Sequence, residues 1–419
     1  MEYTKIKLAS GDVLSVELAG GRESASPSAL SSAAIFKAAE SPMSSPRYRI
    51  FALHPDETID YEFPPEDLKS GGSYSENYQD GQRRSLTFSL RNDDGRYPVG
   101  INGLWSGRKI RLDLGVETAF GDVYWVEKGI FAITKASCSE DASGAKSTNV
   151  TAGDKFAIFE GKEGTLDDTT EIPAGAPIED IILGTLATDS GNGYPLDPKG
   201  IVYHSSLKGK TTQTSISKSA GETYGSILLD LGTQLSSEVF YNSQGNLTIV
   251  PTSETTSDGD KPLIFNAASD DGDIDSLSFD FDLSSIVNKI IVTGASNSSS
   301  SGVRKAVAVN DDPGSPLCYQ RIGYRTGSVI NDPNISTDQL AEERAAYELR
   351  KVSMVKSSVS FGVAFNPLLT VNNLMTITDS HYGLSKKRFL IQSVSCSLDY
   401  SGTMSVSATS LENMPFLTK

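Results

Sequence analysis

Apolar and polar residues alternate one for one along much of the chain. In residues 85–91, Leu86, Phe88 and Leu90 alternate with Ser85, Thr87 and Ser89, the period of a strand that buries one face. The run enters Asn92-Asp93-Asp94-Gly95, a turn in which small polar side chains bond to local backbone and glycine accepts positive φ. Residues 109–115 repeat the pattern, with Leu112 and Leu114 opposed by Arg111 and Asp113, and residues 123–126 and 129–135 read as two further strands. Near the end, Val394, Cys396, Leu398 and Tyr400 alternate with Ser393, Ser395, Ser397 and Asp399. Beyond a turn at Ser401-Gly402, Met404, Val406 and Ala408 alternate with Ser405, Ser407 and Thr409. This spacing predicts a hairpin with one dry face and one serine-lined face.

Helical periods are fewer. Ser219 and Glu222 have the spacing of a capping box, and Ile227, Leu228, Leu231 and Leu235 follow on one helical face. Strand patterns at 238–241 and 246–250 flank a turn at 242–245, so a helix feeds a hairpin. A longer helix is predicted from about 337 to 353, capped by Ser336 with Gln339. Its inner face carries Ala341, Ala345, Leu349 and Val352, against Glu342, Glu343, Arg350 and Lys351 outside. Pro177 ahead of Ile178, Ile181, Ile182 and Leu186 predicts a short helix with proline in its first turn. Ser-, Ala- and Pro-rich residues 20–46, acidic residues 252–260 and residues 295–302 read as loops or linkers. The chain is therefore mainly β, a β-rich α+β class, with a helix-and-hairpin region around 175–250.

Composition narrows the function. A length of 419 residues suits two to four domains. Asp and Glu number 53 against 37 Lys and Arg, a net charge of −16, the wrong sign for a protein whose main task is neutralising phosphates. Cys138, Cys318 and Cys396 lie too far apart for a disulfide framework or a local zinc site and read as free thiols packed as small apolar side chains. His54, His204 and His381 have no metal-ligand spacing. No apolar leader or span-length apolar run occurs, so a soluble product made in the cytoplasm is expected.

Candidate chemistry is thin. Asp271, Asp273 and Asp275 have the spacing that opens a calcium loop, but Ser276 stands where glycine is wanted and Asp282 where a bidentate glutamate is usual. Asp379-Ser380-His381 are adjacent in sequence, where a triad needs convergence in space. No phosphate-cradling glycine motif or nucleophile elbow occurs, and eligible carboxylate pairs for a hydrolase are too common to single out. The sequons at Asn149, Asn246, Asn297 and Asn334 match the abundance of Ser and Thr. Basic clusters at Arg83-Arg84, Arg108-Lys109 and Lys386-Lys387-Arg388 read first as solvated faces and second as charge pairs across a subunit contact. Tyr74, Tyr78, Trp105 and Trp125 are the candidates for an exposed glycan-binding platform. No catalytic residue, metal ligand or cofactor site is assigned.

Several of these stretches, taken in order, resemble one family. Residues 72–97, GSYSENYQDGQRRSLTFSLRNDDGRY, resemble the early segment of baseplate hub, or tail tip hub, proteins of tailed bacteriophages. The strands GRKIRL (107–112) and GIFAI (129–133), the hairpin at 241–251 and VNKIIVTG (287–294) follow in the family's order, as do the helix at 337–353 and the closing hairpin. The insertion at 20–46 departs from the family pattern. Many members continue into receptor-binding or peptidoglycan-cleaving regions, which are not expected here.

The resemblance implies two tube-like antiparallel β-barrel domains, 1–160 and 266–419, around a helix-and-hairpin domain at 161–265. It implies a homotrimer whose domains form a ring at the virion's tail tip or baseplate. That ring would adapt a sixfold tail tube to a threefold spike or fibre assembly, with tail tube, distal tail, spike, fibre or tape-measure proteins as partners. DNA would pass through the channel without specific binding, and the acidic charge would suit that channel's wall. The competing readings are a distal-tail carbohydrate-binding module and a peptidoglycan hydrolase.

Overall fold

The computed structural model describes residues 3–7, 13–17, 35, 39, 45–100, 103–104, 107–191, 193–235, 237–251, 264–268, 274–281, 286–296, 303–315, 317–332, 335, 337–352, 357–399 and 402–410. The loop expected at 252–260, and most of those at 20–46 and 295–302, lie outside these residues. So do Trp105, Ser336, Tyr400 and Ser401. The chain forms two compact units, the first from within 1–263, 362–373 and 392–406, the second from within 264–361, 374–391 and 407–419.

The first unit begins with an isolated antiparallel pair, β1 (Tyr3–Lys7) and β2 (Val13–Glu17). There follow β3 (Ser45–Leu53), β4 (Ile59–Glu62), β5 (Leu68–Asn77), β6 (Arg84–Arg91), β7 (Lys109–Glu117), β8 (Val123–Glu140) and β9 (Lys146–Asp154). These seven make an antiparallel sheet in the order 5-6-9-8-7-3-4, and residues 393–398 pair antiparallel with β5 on its other side. The sheet does not close into a barrel among the described residues. The predicted alternation in β6 holds: Leu86, Phe88 and Leu90 are buried and the residues between them half-buried.

Two strand expectations change. Residues 123–126 and 129–135 belong to one long strand, because the interruption is a β-bulge and not a turn. Gly129 pairs with Leu112 and Glu127 with Asp113, which leaves Lys128 as the extra residue and re-aims its side chain. In β7, Asp113 is as buried as its apolar neighbours Leu112 and Leu114, so the strand has no wet face there.

Gly72 shows how tightly the sheet is packed. A Cβ at this position would lie 2.6 Å from the Thr87 carbonyl oxygen and 3.2 Å from the Phe88 Cα, backbone atoms held by the β5–β6 ladder. Gly72→Ala is expected to destabilise the chain by about 1–3 kcal/mol, as overpacking does, read as a lower urea midpoint.

After β9 the first unit adds α1 (Phe156–Glu160), β10 (Thr170–Ile172), α2 (Ile178–Leu186), β11 (Ile201–Tyr203), β12 (Ile216–Lys218), α3 (Tyr224–Leu235), β13 (Ser237–Tyr241) and β14 (Leu247–Pro251). The predicted hairpin is β13–β14, and β11 joins β14 in parallel, a pairing its three residues gave no sign of. Pro177 caps α2 in extended conformation. Glu222 reaches back to the Ser219 N–H at 2.6 Å, as the capping box predicts, but α3 starts beyond it, where Thr223 Oγ1 accepts the Ser226 N–H at 3.3 Å. Phe156, Phe159, Ile182, Leu186, Leu228, Leu231 and Tyr241 share one core, and each side chain of this size gives roughly 1.5–3 kcal/mol on burial.

The remaining elements are β15 (Ile264–Ala268), β16 (Ile274–Phe281), β17 (Lys289–Ser296), β18 (Val303–Val309), α4 (Tyr319–Ile322), β19 (Ile330–Asn331), α5 (Asp338–Val352), β20 (Ser357–Ala364), β21 (Leu374–Asp379), β22 (Leu384–Leu398) and β23 (Thr403–Ser410). In the second unit β15 lies parallel to β21, and β21 is antiparallel to the start of β22. There too β17 pairs with β18 and β19. Helix α5 matches its predicted range and sets Ala341 and Ala345 against Ile290, Val292 and Ala306. The closing hairpin is β22–β23, with Val394, Cys396, Leu398, Met404, Val406 and Ala408 buried as predicted.

Candidate functional site: a buried ionic clamp

The sheet of the first unit and its helix-and-hairpin portion meet through charged side chains that water does not reach. The β3–β4 turn holds Glu57 in the left-handed region, φ 66°, a conformation that costs a non-glycine residue on the order of 1 kcal/mol or more. The turn delivers the carboxylate inward. Glu57 Oε1 accepts from Lys109 Nζ on β7 at 2.9 Å and from Lys155 Nζ at 2.7 Å. Lys155 sits between β9 and α1 with its side chain fully buried, and also binds Asp197 and the Gly245 carbonyl in the β13–β14 turn. Asp197 in turn accepts the Tyr241 hydroxyl at 2.7 Å. Burial pushes the Tyr241 hydroxyl well above its ordinary value, and Asp197 adds to the shift. Burial pulls Lys109 down while Glu57 opposes it.

A second cluster adjoins the first through Tyr241. Asp154 Oδ2 accepts the backbone N–H groups of Arg83 at 2.8 Å and Arg84 at 2.9 Å, and Oδ1 that of Phe156 at 3.0 Å. Arg83 pairs with Glu238 on β13 at 2.8 Å and lies 3.5 Å over the Phe240 ring. Arg84 binds Glu76 and the Tyr241 carbonyl. Burial acts to raise the Glu76 carboxyl, but Arg84 and Lys128 outweigh it and the group lies below its ordinary value. Thr370 donates to Glu76 at 2.7 Å. Bulged Lys128 donates to the carbonyls of Pro367 and Leu369, both at 2.9 Å, and burial pushes its ammonium down to about 8.

That value fixes a pH dependence. Above pH 8 the folded chain has released a proton that an unfolded lysine still holds, so unfolding free energy rises with pH. Between pH 8 and 9.5 the rise is expected to be about 2 kcal/mol, seen by urea unfolding and absent in Lys128→Met.

The NDDGRY stretch is also a built device. Asn92 accepts the Tyr97 N–H at 2.8 Å and donates to the Tyr97 carbonyl and Thr148 Oγ1, both at 3.0 Å. Asp93 accepts the Lys146 N–H at 2.7 Å, and the Tyr97 hydroxyl donates to buried Asp67 at 2.5 Å. The motif locks a turn onto two strands.

The other sequence candidates are scattered. Arg83, Arg84 and Lys109 are neither solvated nor available to a subunit contact, since all three are spent inside the chain. Arg108 pairs with Asp60 at 2.6 Å, while Lys386 and Arg388 are exposed. Tyr74 is wholly buried, Tyr78 bonds Glu238, and Trp125 lies beneath Arg49, so these three form no exposed platform. Buried Asp379 accepts the Tyr382 N–H at 2.8 Å and holds a turn, with His381 exposed beside the Tyr382 ring. His54 lies 3.6 Å from Asp60, and His204 accepts from Ser206 N–H. Asp275 is exposed on β16; Asp271, Asp273 and Asp282 fall outside the described residues, as do Asn297 and Asn334. Cys318 and Cys396 are buried thiols as expected, but Cys138 is exposed, because it falls in the solvent-facing end of β8. Among the described residues no group of three or more His, Cys, Asp or Glu could hold a metal, and no helix is long and apolar enough to cross a membrane.

No protein-family model matches this chain, and no curated protein does. Solved structures do. The tail protein from Neisseria meningitidis superposes with a TM-score of 0.58 at 10% identity, over 88% of this chain and 98% of that one. The 43 kDa tail protein of prophage MuSo2 from Shewanella oneidensis gives 0.56 at 15% identity, over the same 88% and 98%. The fold is that of a phage tail protein. A chain of the Francisella PdpA–VgrG complex, half-lidded, gives 0.55 at 10% identity over 92% of this chain and 62% of that one. The resemblance to tail and baseplate hub proteins thus holds at the level of fold.

Proposed function

We propose that this chain is a structural hub at the tip of a phage or phage-like tail. The observation that supports it most is a fold shared with two tail proteins over 98% of their length. In this reading the chain is not an enzyme: its buried ions hold one part of the molecule against another and offer no reacting group to a substrate. Residues 1–160 and 266–419 supply the two tube-like domains and 161–265 the helix-and-hairpin domain. Three copies form a ring that joins a sixfold tail tube to a threefold spike or fibre assembly. It contacts tail tube, distal tail and tape-measure proteins in a virion assembled in the host cytoplasm.

DNA leaves through the ring, past a wall that is acidic or neutral and therefore repels phosphate. Two measurements test the proposal. Light scattering of the purified chain is expected to give three times its mass of 44.8 kDa, and cryo-electron microscopy of the tagged particle threefold density at the tube's end. Label along the tube or on peripheral fibres would sink the hub reading. A basic channel wall would sink the account of the charge.

A further inference from the structure

A cleft of about 330 Å³ opens in the first unit beside the clamp, between the β3–β4 turn, the start of β7, α1 and the loop that precedes β11. Leu53, Ile158, Pro195 and Leu196 give it apolar walls. Of its charged lining groups, Arg108 is neutralised by Asp60 at 2.6 Å and Lys109 by Glu57 at 2.9 Å. Glu163, just beyond α1, makes no hydrogen bond or ion pair among the described residues. The lining therefore holds one carboxylate with no ion-pair partner within 4 Å among the described residues.

The backbone makes room for that carboxylate. Gly107 has φ 85°, and a Cβ there would stand 2.1 Å from Glu163 Oε1. Any other residue would both strain the backbone and displace the acid. Burial pushes the Glu163 carboxyl up, and Lys109 opposes the shift.

We propose that this cleft takes the side chain of a lysine presented by a partner protein. Its ammonium meets Glu163, and its four-carbon stem lies on Leu53, Ile158, Pro195 and Leu196. The stem removes apolar surface from water while the head makes a charge-assisted hydrogen bond, the division of labour to which a lysine side chain is suited. A carboxylate or phosphate would set a second anion against Glu163. A wholly apolar side chain would leave Glu163 uncompensated.

The test titrates the full chain with Nα-acetyl-lysine N-methylamide and follows the Gly107 amide by NMR. Saturable binding with a Kd of about 1–10 mM is expected for a ligand of this size. Glu163→Gln is expected to weaken it about tenfold, as is replacing lysine with the uncharged norleucine analogue, the worth of one charge-assisted hydrogen bond. Glu163 is exposed in part, so the variant's urea midpoint should match that of the parent and certify its fold. Equal binding by the variant or by the norleucine analogue would overturn the proposal, as would no saturable shift. Tighter binding of putrescine than of the lysine amide would also overturn it and assign the cleft to free polyamines.

Discussion

Replacing Lys155 with methionine is expected to lower the unfolding free energy by about 3–5 kcal/mol, the usual cost of removing one partner from a buried ion pair. Methionine approximates the volume, so the loss is electrostatic. The Lys155 ammonium is the cation on Asp197, whose side chain is fully buried. Without it Asp197 keeps the Tyr241 hydroxyl and the Lys199 N–H, at 2.7 and 2.8 Å, to stabilise a full negative charge. Glu57 suffers less, because Lys109 remains beside it. Adding Asp197→Asn to Lys155→Met should therefore recover a large part of the loss, which a double-mutant cycle by urea unfolding would show. A single-variant loss below about 1 kcal/mol would mean that the cluster behaves like a surface salt bridge and does not clamp the unit.

Phe159→Ala is expected to cost a similar 3–5 kcal/mol by a different route, the cavity left by a deleted core ring. Phe159 is fully buried in α1 and stacks on Tyr241 with ring centroids 6.3 Å apart and planes 25° from parallel. Gly225 in α3 comes so close that a Cβ there would lie 3.1 Å from the Phe159 carbonyl oxygen. The ring thus packs α1 on the β13–β14 hairpin through Tyr241, while α3 closes on the α1 backbone at Gly225. Hydrogen exchange should separate this loss from a general one: amides of α2, α3 and β13 exchange faster, while β6 and β9 remain protected. Uniform acceleration across the unit would contradict that division. No second carboxylate substitution should rescue Phe159→Ala, in contrast with Lys155→Met.

The regular elements were legible because their burial follows a period. β6, the closing hairpin and α5 carry apolar residues at the spacing that their buried faces require. The long β8 was not legible, because Glu127-Lys128-Gly129 looks like an interruption and only the pairing with β7 shows a bulge. The clamp lay partly in view. Arg84 has the same parity as Leu86, Phe88 and Leu90, so the alternation that buried those three already pointed it inward. Glu76 shares its parity with Tyr74 in the same way, and both are buried. Composition argued the opposite, since charged residues are almost never fully buried unless paired, and Glu238 stands 155 residues from Arg83 and Asp197 42 residues from Lys155. No local pattern announces a pair of that kind. The cleft at Glu163 was hidden for a similar reason: a lone glutamate after a short helix has no signature, and its isolation is a fact about its neighbours in space.

The sheet of the first unit has a consequence for synthesis. Residues 72–77 of β5 pair with residues 393–398, so one side of that strand cannot be completed until the ribosome has added more than 300 further residues. At the usual pace of translation the wait is roughly 15–60 s. Throughout it, a strand with unpaired amide and carbonyl groups waits beside its finished neighbour β6, the form of edge that recruits foreign strands. The edge of β5 is thus kept for a partner that the chain itself supplies last.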